Sequence, residues 1–154
     1  MDGFIFGRSD LYKFVQIMNI IKYFLSILIL VVFSIDRAFG QDLRDKNGIK
    51  TGEVDEKGAI RDKSGIKTGQ FDEDGAVRDK NGIKTGNIDK DGDIRDKSGI
   101  KIGEVEEDGT VRDKNGIKLG KIEDGGTVRD KRGIKIGTAE GVDKKQAAVL
   151  FFFK

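Results

Sequence analysis

The chain has 154 residues, with 29 Lys and Arg against 27 Asp and Glu, and it contains no Cys, His, Trp or Pro. A balance this close to neutral gives no net field to gather nucleic acid, so no nucleic-acid partner is expected. The lack of Cys excludes disulfides and a lipid-modified cysteine.

In chain order, residues 1–17 precede a second Met, at 18, which makes the better start. They read as a non-native N-terminal extension and are left out of the fold. Residues 18–40 read as a signal peptide. Lys22 closes a short basic stretch, Tyr23 to Ile35 is an uncharged run, and Ala38-Phe39-Gly40 places small residues at the −3 and −1 positions of a cleavage site. The run is too short for a retained span, which needs about 20 apolar residues. The expected mature chain begins at Gln41, is secreted or periplasmic, and has no membrane span.

Residues 41–154 form the third region, a β-hairpin repeat domain. Six segments begin at Leu43, Ile60, Val77, Ile94, Val111 and Val128, each 17 residues from the next. Each opens with an aliphatic residue and Arg-Asp-Lys, then a turn residue, Gly, Ile, Lys, a variable residue and a second Gly. An acidic stretch closed by a third Gly follows, as in Asp72-Glu73-Asp74-Gly75. Five units are complete, and the sixth departs after Gly137.

Each unit carries two turns. Asp45-Lys46-Asn47-Gly48 suits a type I turn with Gly in the left-handed region, and Asp55-Glu56-Lys57-Gly58 repeats that chemistry. The segments between are too short and too rich in Gly for helix, so strand without helix is expected. A bulge at Gly52 and its equivalents would bring Ile49 and Val54 onto one face.

The expected core is then three columns. The first is Leu43, Ile60, Val77, Ile94, Val111 and Val128. The second is Ile49, Ile66, Ile83, Ile100, Ile117 and Ile134. The third is Val54, Phe71, Ile88, Val105 and Ile122. One unit cannot bury its own three, so neighbours must stack. The tail Ala147–Phe153 is uncharged and would aggregate if exposed. It is expected inside the array, with Phe151–Phe153 in the apolar interior and its backbone paired to the first strand near Leu43. The residues give an all-β meander of short strands and do not choose a closed ring over an open solenoid.

The repeated G-[AT]-[VI]-R-D-K-[NS]-G-I-K-[TIL]-G unit, the leader and the ending A-E-G-V-D-K-K-Q-A-A-V-L-F-F-F resemble the five-fold β-flower proteins, small secreted bacterial repeat proteins. The resemblance spans residues 41–154. It implies a closed ring of hairpins with pseudo-five-fold symmetry and brings no catalytic residues with it.

The chemistry of the residues points the same way. After residue 40 there is no His or Cys to serve a nucleophile, and Ser64 and Ser98 occupy turn positions. The repeated acids sit in like environments, whereas a catalytic carboxylate pair needs unlike ones. The Asp-Gly turns lack the frame of a calcium loop. No enzyme activity, catalytic residue, cofactor or metal is therefore expected. The chain reads as a secreted, monomeric, non-catalytic structural or interaction module whose partner is a protein or an envelope component. The alternative is an extracytoplasmic protein that binds an ion or polyanion through the repeated Arg-Asp-Lys rim or the acidic turns.

Overall fold

A computed structural model describes residues 13–23 and 41–153. The chain divides into two units, 1–39 and 40–154. In the first, residues 13–23 are helical (α1) with exposed side chains. The expected apolar run beyond Tyr23 and the cleavage site at Ala38-Phe39-Gly40 lie outside the described residues. No helix among the described residues is long and apolar enough to cross a membrane.

The second unit is a meander of short strands. They are β1 (Gln41–Asp45), β2 (Lys50–Val54), β3 (Ala59–Asp62), β4 (Lys67–Phe71), β5 (Ala76–Asp79) and β6 (Lys84–Ile88), then β7 (Asp93–Asp96), β8 (Lys101–Val105), β9 (Thr110–Asp113), β10 (Lys118–Ile122), β11 (Thr127–Asp130) and β12 (Lys135–Ala139). Each pairs antiparallel with its sequence neighbours, and β1 pairs with β12, Leu43 opposite Ala139, closing a barrel. The ring is thus closed, and six hairpins stand around it. The sixth unit keeps its hairpin through Ala139, although its sequence leaves the repeat after Gly137. Closure leaves no unpaired edge, and the unit holds its own core, so it meets the definition of an independent domain.

Two of the expected columns are inside. Leu43, Val77, Ile94, Val111 and Val128 are buried, with Ile60 packed against them. So are Val54, Phe71, Val105 and Ile122, with Ile88 packed alongside and Ala139 completing the ring. The Ile column is not inside: Ile49, Ile66, Ile83, Ile100, Ile117 and Ile134 are 52–64% exposed. The reason is height along the barrel. Each Ile pairs with the turn Asp at the very end of its hairpin, its carbonyl accepting from the Asp N–H, as from Asp45 to Ile49 at 3.0 Å. That level lies past the layer the core fills.

The bulge is present, one residue earlier than expected. Leu43 faces Gly52 and Arg44 faces Lys50, so Thr51 is the extra residue. Gly52 and its equivalents are buried, and positive φ among the described residues is confined to turn glycines such as Gly48 at +82°. What demands glycine at these sites is close approach. A Cβ on Gly69 would lie 2.8 Å from the Arg78 carbonyl oxygen, and one on Gly86 2.7 Å from that of Arg95.

The tail is helical, contrary to the expected strand. Helix α2 (Lys144–Phe152) starts at Asp143, whose carboxylate accepts from the N–H groups of Lys145 at 2.9 Å and Gln146 at 3.3 Å. Its Ala147, Ala148 and Leu150 join the barrel core. A ring of twelve strands has a wide interior, and the helix supplies side chains on every side of its axis to fill it. The place beside β1 expected for the tail belongs to β12.

Three consecutive Phe are accommodated because they radiate from the helix end. Phe151 sits against Gly137, Phe152 against Gly120 and Phe153 against Gly103. These are the units whose bulge residue is apolar, Ile136, Leu119 and Ile102, and all three pack on the core. The first three units carry Thr51, Thr68 and Thr85 there, each exposed. Their hydroxyls donate to the carbonyls of Leu43, Ile60 and Val77 at 3.1–3.3 Å. Beside them is a cavity of about 520 Å³, bounded by Leu43, Ile60, Thr51, Thr68, Leu150 and Phe153.

Candidate functional site

The alternating direction of the strands sends the two kinds of turn to opposite ends of the barrel. One end collects the six Asp-Lys-x-Gly turns, built alike. Asp45 Oδ1 accepts from the N–H of Asn47 at 2.8 Å and of Ile49 at 2.9 Å, and the Asp45 carbonyl accepts from Gly48 N–H at 3.0 Å. Arg44 donates to the Gly48 carbonyl at 3.1 Å, clamping the turn from its own strand. The equivalent arginines do the same in every unit.

The Arg-Asp-Lys triplets are therefore not six equal binding groups. Each Asp is spent on its turn, and each Arg also meets a carboxylate. Arg78 lies 2.6 Å from Asp72, Arg95 2.7 Å from Asp89, Arg112 2.7 Å from Glu106 and Arg129 2.8 Å from Glu123. The third member is different. Lys46, Lys63, Lys80, Lys97, Lys114 and Lys131 are exposed, and none forms an ion pair among the described residues. Next to them stands the ring of exposed Ile.

Sequence reasoning missed this end because it placed the Ile inside. A signal was available. The two buried columns vary in size from unit to unit, as packing around a helix requires, whereas the turn Ile is the same in all six.

The opposite end carries the acidic turns, such as Asp72-Glu73-Asp74 and Glu106-Glu107-Asp108. Four of the carboxylates in these turns are held charged by local donors. The Ala59 and Lys57 N–H groups keep Asp55 below its ordinary pKa. The N–H of Thr110 and the ammonium of Lys121 do so for Asp108, and the Arg95 guanidinium for Asp89. Lys144, at the start of α2, ties this end to Asp124 at 2.5 Å and holds that carboxyl low as well.

Asp89, Asp91 and Asp93 are the one group of three carboxylates close enough to share an ion among the described residues. Two of the three already have cations. Asp89 pairs with Arg95 at 2.7 Å, and Asp93 with Arg95 at 3.0 Å and Lys101 at 2.6 Å. The trio is accounted for as an ion-paired turn.

Charge is therefore sorted by end. Every Arg-Asp-Lys-x-Gly-Ile-Lys stretch has three bases to one acid, with Arg132 adding a further base in the sixth, and the other turns are mostly acidic. The near-neutral total, read from composition as a surface without a field, hides two ends of opposite sign. The reason is topological: a 17-residue period with one hairpin per unit places like segments at like heights.

The sequence profile of the 5-fold beta-flower proteins matches residues 40–154. No curated protein and no solved structure matches the chain.

Proposed function

The chain belongs to the 5-fold beta-flower family, and from that premise we propose that it is an exported, non-catalytic structural or interaction module. It works by presenting the two unlike ends of a closed ring to an envelope component. The observation that carries this reading is how uniformly the polar groups are used. In every unit the Asp holds its turn and the Arg clamps that turn and meets an acid. Acid–base catalysis needs two titratable groups in unlike surroundings, and repeated units give like ones. Export is supported by the leader pattern that ends at Gly40.

The competing reading is an ion- or polyanion-binding protein using the Arg-Asp-Lys rim or the acidic turns. A thermal-shift titration with calcium, inorganic phosphate and an acidic oligosaccharide separates the two, because a ligand of the native state raises the melting temperature. The module reading expects no saturable rise with any of them. A saturable rise with one would replace it with the ligand-binding reading.

A further inference from the structure

We propose that the isoleucine-bearing end of the barrel docks on an anionic phospholipid bilayer, without crossing it. The inference rests on the module reading and names the envelope component that the module meets.

Six Ile side chains stand at one level, because each occupies the same turn position of its hairpin and the hairpins close into a ring. Five are 60–64% exposed and the sixth, Ile134, 52%. A ring of large apolar groups at one height can meet a flat surface all at once. Scattered exposed apolar residues need no explanation, but the same apolar residue exposed at one level of every hairpin and bordered by polar groups points to an interaction surface.

The border identifies the surface. Each Ile has the unpaired Lys of its own turn three residues before it, as Lys46 stands before Ile49, and a second Lys directly after it; of these second lysines Lys50 and Lys101 are ion-paired to acids of their own hairpins. Apolar side chains that enter the acyl boundary, framed by cations that reach the headgroups, are the two terms that hold peripheral proteins on anionic membranes. Long Lys stems also allow the ammonium to stay at headgroup level while the Ile goes deeper.

A second copy of the chain fits less well in either orientation. Two of these ends face to face would oppose like charges. One of them against an acidic end would set Ile on Asp and Glu, with no apolar counterpart to receive it. The acidic end also fixes the orientation on the membrane, since anionic headgroups repel it.

The test uses residues 41–154, the separate unit with its own closed ladder and core. Co-sedimentation is measured with vesicles of phosphatidylcholine containing about 30% phosphatidylglycerol, and with phosphatidylcholine alone, at low and high salt. The expected result is binding to the anionic vesicles that weakens with salt. The triple variant Ile66→Ser, Ile83→Ser, Ile100→Ser should bind roughly tenfold or more weakly, and so should Lys63→Gln, Lys80→Gln, Lys97→Gln. Both sets alter exposed side chains, and unchanged melting by circular dichroism confirms their folding. Parent protein that stays in the supernatant overturns the proposal, as does equal binding to neutral vesicles. Ile variants that bind like the parent overturn it too. Ile-dependent self-association by light scattering without lipid would assign the ring to a second copy instead. Any of these results, with flat thermal-shift titrations, removes the membrane and leaves the module reading standing.

Discussion

Gly86 and Gly48 are both glycines of the repeat, and they are required for different reasons. Gly48 has φ +82° and open space where a Cβ would go. Gly86 lacks positive φ, but a Cβ there would lie 2.7 Å from the Arg95 carbonyl oxygen. Gly48→Ala should therefore cost about 1 kcal/mol through backbone conformation alone. Gly86→Val should cost clearly more than about 1 kcal/mol, because a backbone carbonyl of a closed ladder cannot retreat without breaking its neighbours. Urea denaturation of the two variants checks the order. A neutral Gly86→Val would mean that β6 and β7 are not as close as described. The alternation of Ile49, Thr51 and Val54 was enough to see that an extra residue must be inserted. It was not enough to say which residue is extra, because that depends on the partner strand, where Arg44 faces Lys50.

Among the elements, α2 is the one that the sequence hid. Its Val149, Phe151 and Phe152, with Phe153 at its C-cap, have high β-propensity, which favoured a strand by local preference. A contrary signal stood upstream. Asp143-Lys144-Lys145-Gln146 has the spacing of a capping box, and the Asp does cap. A helix of nine residues is marginal alone, so its stability comes from the barrel that surrounds it. The dependence runs both ways. Each Phe is partly buried and contributes part of the about 1.5–3 kcal/mol that full burial would give, and Ala147, Ala148 and Leu150 are part of the same core. Deleting residues 144–154 should give an aggregated or unfolded product, although all twelve strands remain. A truncated chain that stays monomeric and melts like the parent would show that the ring needs no plug. The strands and turns were legible throughout, since Asp-x-x-Gly turns at a fixed period leave little else for the backbone to do.

At the scale of the whole molecule, one closure organises everything else. Pairing β1 with β12 makes two ends of the meander into a ring, gives α2 an interior to occupy, and sets six Ile and six unpaired Lys at a common height. Composition could not reveal this, because it averages over ends that differ in sign. The direct measurement is the β1–β12 seam, by backbone NMR of residues 41–154. The account predicts cross-strand contacts pairing Leu43 with Ala139, Arg44 with Thr138 and Asp45 with Gly137, and amides in both strands as slow to exchange as those of β6 and β7. Absence of those contacts, with β1 and β12 exchanging as free edges, would contradict it.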